Sequence, residues 1–175
     1  MRKVNKSSMA VVAAALLLST LVGVVWARPN GSPQAADITR KVTLTGADFI
    51  PRSTADLTNN GSYVECNTGN CFFAAPVPFP CLPSVTVEHF KLHVLDDNGI
   101  GSAFAYLYRG NPSTGGENSW GSVSSPPAVS GGLKTYTSAP INKVVWPSQR
   151  AYLMLNIWGP NITVYGVTVE YHVNS

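Results

Sequence analysis

Glycoside hydrolysis needs two carboxyl groups flanking the scissile bond. The chain offers Glu88, Asp96, Asp97 and Glu170 for such a pair. Glu88 falls on a long β-prone run, Asp96 and Asp97 lie at its end, and Glu170 lies on the last such run. The plainer reading is that Asp96-Asp97-Asn98-Gly99 makes a turn and that Glu88 and Glu170 face solvent. A serine nucleophile would need the strained Gly-x-Ser-x-Gly elbow that exposes it, and the sequence has none. His89, His93 and His172 each sit on a strand-like run. His89 and His93 share parity on one run, about 13 Å apart by strand rise, too far to hold one metal together. No catalytic signature emerges from these residue types.

Three cysteines, Cys66, Cys71 and Cys81, invite three kinds of chemistry. A cysteine beside a histidine can be a nucleophile. Three thiolates with His89 or His93 would make a soft ligand set, but the spacing has no C-x₂-C hook of a zinc site. A disulfide fits best in an exported chain. The insert in Cys66-Asn-Thr-Gly-Asn-Cys71 is turn-forming and can bring two sulfurs together across a hairpin. Cys66–Cys71 is therefore the favoured pair, with Cys81 left over, although spacing alone does not fix connectivity. Asp96, Asp97 and Asn98 cluster oxygens that suit calcium, without the full acidic loop and its terminal Glu. No other cofactor is suggested.

Aromatic residues carry the remaining signal. Trp120, Trp146 and Trp158 fall in or beside expected loops, with Tyr106, Tyr108 and Tyr136 elsewhere. Exposed rings stack on sugar faces through apolar and C–H contacts. The competing reading is that Tyr and Trp serve as strand and core residues.

The compartment follows from the N-terminus. Arg2, Lys3 and Lys6 precede an apolar run over Met9–Trp26, and Val25-Trp26-Ala27 places small residues at −3 and −1. This order is that of a secretory signal over 1–27, cleaved between Ala27 and Arg28. The run approaches the ~20 residues of a membrane span, so an uncleaved anchor is the alternative. The formal charge of +3 is carried by Arg2, Lys3 and Lys6, and the chain from Arg28 balances. Its only adjacent basic pair is Arg40-Lys41, so the basic patch of a nucleic-acid binder is missing, and no membrane partner is expected after cleavage.

These residues need elements to hold them. Residues 28–38 read as a Pro/Gly-rich leader, and 39–175 as one domain. Nothing in it has a 3.6-residue apolar period, and about eight to ten short strands separated by turn residues point to a sandwich. The expected class is an all-β antiparallel sandwich, Greek-key or jelly-roll-like, preceded by the signal helix. Along Ser84–Leu95 the apolar phase flips near Glu88-His89, which predicts a bulge. Ala103–Arg109 places Phe104, Tyr106 and Tyr108 on one face. Pro76–Pro83 predicts an extended crossing between sheets. Ala151–Trp158 and Thr163–Val173 predict a hairpin around Gly159-Pro160-Asn161. Val167, Val169 and Tyr171 should face the core, with Thr168 and Glu170 outward.

Four segments occur in order: Asp48-Phe49-Ile50-Pro51, Ala105-Tyr106-Leu107-Tyr108-Arg109, Ala151-Tyr152-Leu153-Met154-Leu155 and Tyr165-Gly166-Val167-Thr168-Val169-Glu170-Tyr171. In them the chain resembles small exported bacterial proteins of uncharacterised function. The resemblance spans most of 48–173 and implies a β-sandwich and export, with no catalytic motif to carry over. The leading expectation is a secreted or periplasmic, non-enzymatic domain with a structural or binding role. Its expected partner is an extracellular glycan or protein, and carbohydrate recognition through surface aromatics is one alternative. A small hydrolase using a carboxylate pair is the other.

Overall fold

The computed structural model describes residues 38–53, 55–79, 84–96, 101–110, 117–127 and 131–174. The signal and its Ala27–Arg28 junction, most of the leader, Cys81, Asp97 and Asn98 lie outside these residues.

Strand alternation organises the chain into two antiparallel sheets. The strands are β1 (Arg40–Leu44), β2 (Ile50–Pro51), β3 (Leu57–Asn59), β4 (Val64–Cys66), β5 (Asn70–Pro76), β6 (Val85–Asp96), β7 (Ser102–Gly110), β8 (Glu117–Ser124), β9 (Leu133–Thr137), β10 (Lys143–Val145), β11 (Arg150–Trp158) and β12 (Ile162–Val173). One sheet has seven strands and runs β10-β6-β12-β4-β3, with β1 also on β12 and β9 also on β6. The other has five, in the order β2-β5-β11-β7-β8. Pro51 sits on the edge strand β2, where its missing N–H costs no ladder bond. The core lies between the sheets and includes Phe73, Phe90, Leu92, Leu107, Leu153, Leu155, Val167 and Val169, all without exposed surface.

The expected hairpin of β11 and β12 does not form. β11 belongs to the five-stranded sheet and β12 to the seven-stranded one. Gly159 at φ +100° and Asn161 at φ +61° turn the chain from one sheet to the other instead of back onto the same ladder. Both runs are apolar enough to be central strands, and each takes an interior place in its own sheet. The same correction applies to β4 and β5. They do not pair across Asn67–Asn70; that turn is a crossing between sheets, closed by a disulfide from Cys66 to Cys71 with their Cα atoms 5.6 Å apart.

The bulge in β6 is where the phase flip placed it. Pairing with β12 shifts between Glu170 and Tyr171, so that His89 and Val87 face successive residues and Glu88 is skipped. A second shift falls between Val164 and Gly166. It breaks the alternation along β12: Ile162 and Val164 point inward, Tyr165 is exposed, and Val167 resumes the inward set. Gly166 sits at φ +155°, and a Cβ there would lie 2.3 Å from the Leu44 carbonyl oxygen, so only glycine lets β1 close on β12.

Val167, Val169 and Tyr171 do face the core, with Thr168 and Glu170 on the opposite side. That outward side is nevertheless covered. Glu170 is 5% exposed, because β12 is flanked by β1 and β6 and their long side chains fold over it.

Candidate functional site

The two outer faces of the sandwich have different chemistry. On the seven-stranded sheet, Glu170 Oε1 accepts from Lys41 Nζ and Lys91 Nζ, each at 2.9 Å, and its Oε2 lies 2.5 Å from His89 Nε2. Hydrogen bonds from Lys91 and then Lys41 hold the Glu170 carboxyl down at about 2, against the opposing effect of burial. His93 bridges Thr135 Oγ1 at 3.0 Å and Thr168 Oγ1 at 2.9 Å. Burial, and then the charge of Lys91, lower its pKa. His172 Nδ1 lies 3.3 Å from Glu88 Oε1. All three histidines and both candidate strand carboxylates thus stand on one sheet face. Glu170 is locked as an anion beneath two lysines, which suits a structural counter-ion and not a general acid. The expectation that Glu170 faces solvent is corrected.

The outer face of the five-stranded sheet is built by the alternate residues of β5, β11, β7 and β8. Small residues of β7 (Ala103, Ala105) and Leu107 turn inward, which sends Phe104, Tyr106 and Tyr108 outward. The registers then define rows across the sheet. Phe72, Asn156, Phe104 and Ser124 form one; Ile50, Ala74, Met154, Tyr106 and Ser122 the next; Pro76, Tyr152, Tyr108 and Ser119 the third. Trp158 stands between Asn70 and Ser102 at one end, 54% exposed.

Ring contacts run unbroken along this face. The centroids of Phe104 and Tyr106 are 6.5 Å apart, those of Tyr106 and Tyr108 6.4 Å, and those of Tyr108 and Tyr152 5.4 Å. The first and last of these pairs lie within 14° and 11° of parallel. Phe72 and Ile50 add apolar surface, 36% and 60% exposed. The three rows contain no charged residue; their polar groups are serine and tyrosine hydroxyls and the Asn156 amide. Asn156 Oδ1 is buried there with no hydrogen-bond partner among the described residues.

The tryptophans singled out by sequence do not converge. Trp158 belongs to the aromatic face. Trp146 is exposed beyond the other end of β11, beside a cleft of about 470 Å³ lined also by Pro76, Phe79, Gln149 and Arg150. Trp120 packs partly buried against the core, with the Arg109 guanidinium 5.9 Å from its ring centroid. The tyrosines, by contrast, do converge. Parity had placed Phe104, Tyr106 and Tyr108 together; what parity lacks is which face the core takes.

Of the calcium candidates, Asp96 is buried at the end of β6, opposite Ile162, and the other two lie outside the described residues. Among the described residues no group of three or more His, Cys, Asp or Glu could hold a metal ion. The disulfide takes Cys66 and Cys71 out of any zinc set.

No protein-family model matches the sequence, and no curated protein matches it. Among solved structures, the C-terminal CBM6 of a marine laminarinase from Zobellia galactanivorans is similar with TM-score 0.48 and 10% identity, over 74% of this chain and 98% of that one. A CBM6 from Clostridium stercorarium in complex with cellobiose gives TM-score 0.48 and 12% identity, over 77% and 94%. A CBM36 domain of a multidomain xylanase from the hindgut metagenome of Trinervitermes trinervoides gives 0.47 and 12%, over 74% and 96%. Each TM-score lies below 0.5, and the chemistry of the site is carried by the chain's own side chains.

Proposed function

We propose that this chain is an exported, non-catalytic domain that binds neutral glycans on the outer face of its five-stranded sheet. One observation carries the reading: the face that a two-layer sandwich turns to water is here lined by a continuous row of rings. An outward sheet face is ordinarily polar, alternating with the buried one. Clustered apolar surface of this kind marks an interaction site.

The composition selects the ligand. Rings offer flat apolar surfaces to the C–H faces of pyranoses, and Tyr, Ser and Asn groups pair with hydroxyls. With no charge in the rows, the face suits an uncharged, hydroxyl-rich chain. The row of rings suits a linear one, since successive sugar units can meet successive rings.

An array of β-1,3- and β-1,4-linked gluco-, xylo- and manno-oligosaccharides tests the reading. Binding by the protein should be lost when Tyr106 and Tyr108 are both changed to Ala, with the near-ultraviolet circular dichroism otherwise retained. Absence of binding to every glycan, or binding indifferent to that double change, would remove the reading. Export is tested by N-terminal sequencing of the secreted product, which should begin at Arg28.

A further inference from the structure

The aromatic row does not stop at Tyr152. Pro76, opposite Tyr152 in the register, is also a wall of the cleft that holds Trp146. Arg150, two residues before Tyr152 on β11 and so on the same side of the strand, lines the cleft as well. The cleft therefore continues the row at one end of the sheet.

Several of its acceptors are already engaged. The carbonyls of Val77, Ser84, Trp146 and Ala151 already accept backbone hydrogen bonds from Phe79, Asn174, Gln149 and Val77. Ser84 Oγ accepts from Asn174 Nδ2 at 2.8 Å, which leaves its own hydrogen to donate. Gln149 Oε1 accepts from the Trp146 backbone N–H at 3.2 Å, which leaves its side-chain NH₂ to donate. Arg150 is exposed, and no carboxylate among the described side chains pairs with it; Glu117, whose side chain is not among these, shares its row across Gly110. The cleft thus presents one guanidinium beside an indole that is 55% exposed, with the Ser84 hydroxyl and the Gln149 amide as further donors.

We infer that this cleft takes a carboxylate-bearing sugar, a uronic acid, at the end of the glycan held on the aromatic face. The inference rests on the glycan reading above. A guanidinium matches a carboxylate with two parallel hydrogen bonds. The Trp146 ring supplies the apolar wall for the pyranose. A chain terminus of a peptide also carries a carboxylate, but the continuity with the tyrosine row favours sugar.

Titration calorimetry with two β-1,4-linked glucose hexasaccharides decides it, one neutral and one oxidised to the C6 carboxylate in its terminal unit. The oxidised ligand should bind about tenfold more tightly at low salt, as one charge-assisted contact provides. That advantage should shrink with added salt. Arg150→Gln should remove it and leave the neutral affinity in place, whereas Tyr106→Ala should weaken both ligands. Equal affinity for the two hexasaccharides would overturn the inference while leaving the neutral-glycan reading standing. Binding of neither would bring down both. Displacement of the oxidised ligand by an acetylated tripeptide with a free carboxylate, but not by glucuronic acid, would reassign the cleft to peptide termini and also overturn it.

Discussion

Lys91 reaches diagonally across the β6–β12 ladder to Glu170: its register partner is Thr168, yet its Nζ stands 2.9 Å from Glu170 Oε1. Lys41 approaches the same oxygen from β1 on the other side of the strand. A carboxylate on a central strand is thereby satisfied without leaving the sheet face. Charge-assisted hydrogen bonds of this kind are worth about 1.5–3 kcal/mol each, less where a partner is solvated, as Lys41 is.

Glu170→Gln should therefore lower stability at neutral pH by about 1–3 kcal/mol, since it leaves two lysines facing a neutral amide. The acid limb should change too. The folded pKa of Glu170, about 2, lies below its ordinary value of 4.5. The unfolded chain binds this proton first, so the contribution is full above pH 4.5 and is lost as pH falls toward 2. Denaturant melts of both proteins at pH 7 and pH 3 test this. If the gap between them is as wide at pH 3 as at pH 7, the network is not what Glu170 contributes.

His93 gives a second, separate window. Burial and Lys91 lower its pKa from 6.5, so here too the unfolded chain takes up the proton first. The stability it confers is complete above pH 6.5 and declines as pH falls below that value. His93→Gln should flatten the stability profile in the region just below pH 6.5 and leave the Glu170 limb at lower pH intact. Measuring unfolding free energy at half-unit steps of pH separates the two.

Much of this architecture is legible in the residues, and the failures have a common cause. The bulge at Glu88 follows from a phase flip in one strand, and the inward set Val167, Val169 and Tyr171 from alternation; both are local. Pairing is not local. Gly159-Pro160-Asn161 and Asn67–Asn70 look alike as hairpin turns and as crossings between sheets, because the choice depends on what covers each strand's second face. The aromatic face was hidden for the same reason. In Ala103–Arg109 the larger side chains invite burial by size, yet Ala103, Ala105 and Leu107 take the core because Phe90, Phe73 and Leu153 already fill it. The lone signal for the site was that three rings share one parity.

The disulfide joins strands of different sheets, and both sulfurs are fully buried. Its loop is short, so closure entropy gives only about 2 kcal/mol. The double change Cys66→Ala with Cys71→Ala should lower stability by roughly that amount and keep the fold. Equilibrium unfolding with and without reductant checks it. An unfolded double variant would show that the link organises the crossing of β4 to β5 instead of merely shortening the unfolded chain.

The last prediction separates a binding role for the aromatic face from a structural one. Tyr106 and Leu107 are neighbours on β7 that point to opposite sides of the same sheet. Leu107 is fully buried, and Leu107→Ala should cost about 2–5 kcal/mol, through lost transfer energy and the cavity it leaves. Tyr106 is half-buried, and its described ring contacts are with Phe104 and Tyr108. Tyr106→Ala should cost about 1 kcal/mol of stability, the scale of an aromatic pair. On glycan affinity the order should reverse. Tyr106→Ala should weaken binding about tenfold, as loss of a central contact does. Leu107→Ala should bind normally at a temperature where it remains folded. Thermal melts set beside glycan titrations at low temperature give both orders. Should Tyr106→Ala melt as early as Leu107→Ala, the ring row would be a second core covered by some other part of the molecule. The glycan reading would then lose the observation it stands on.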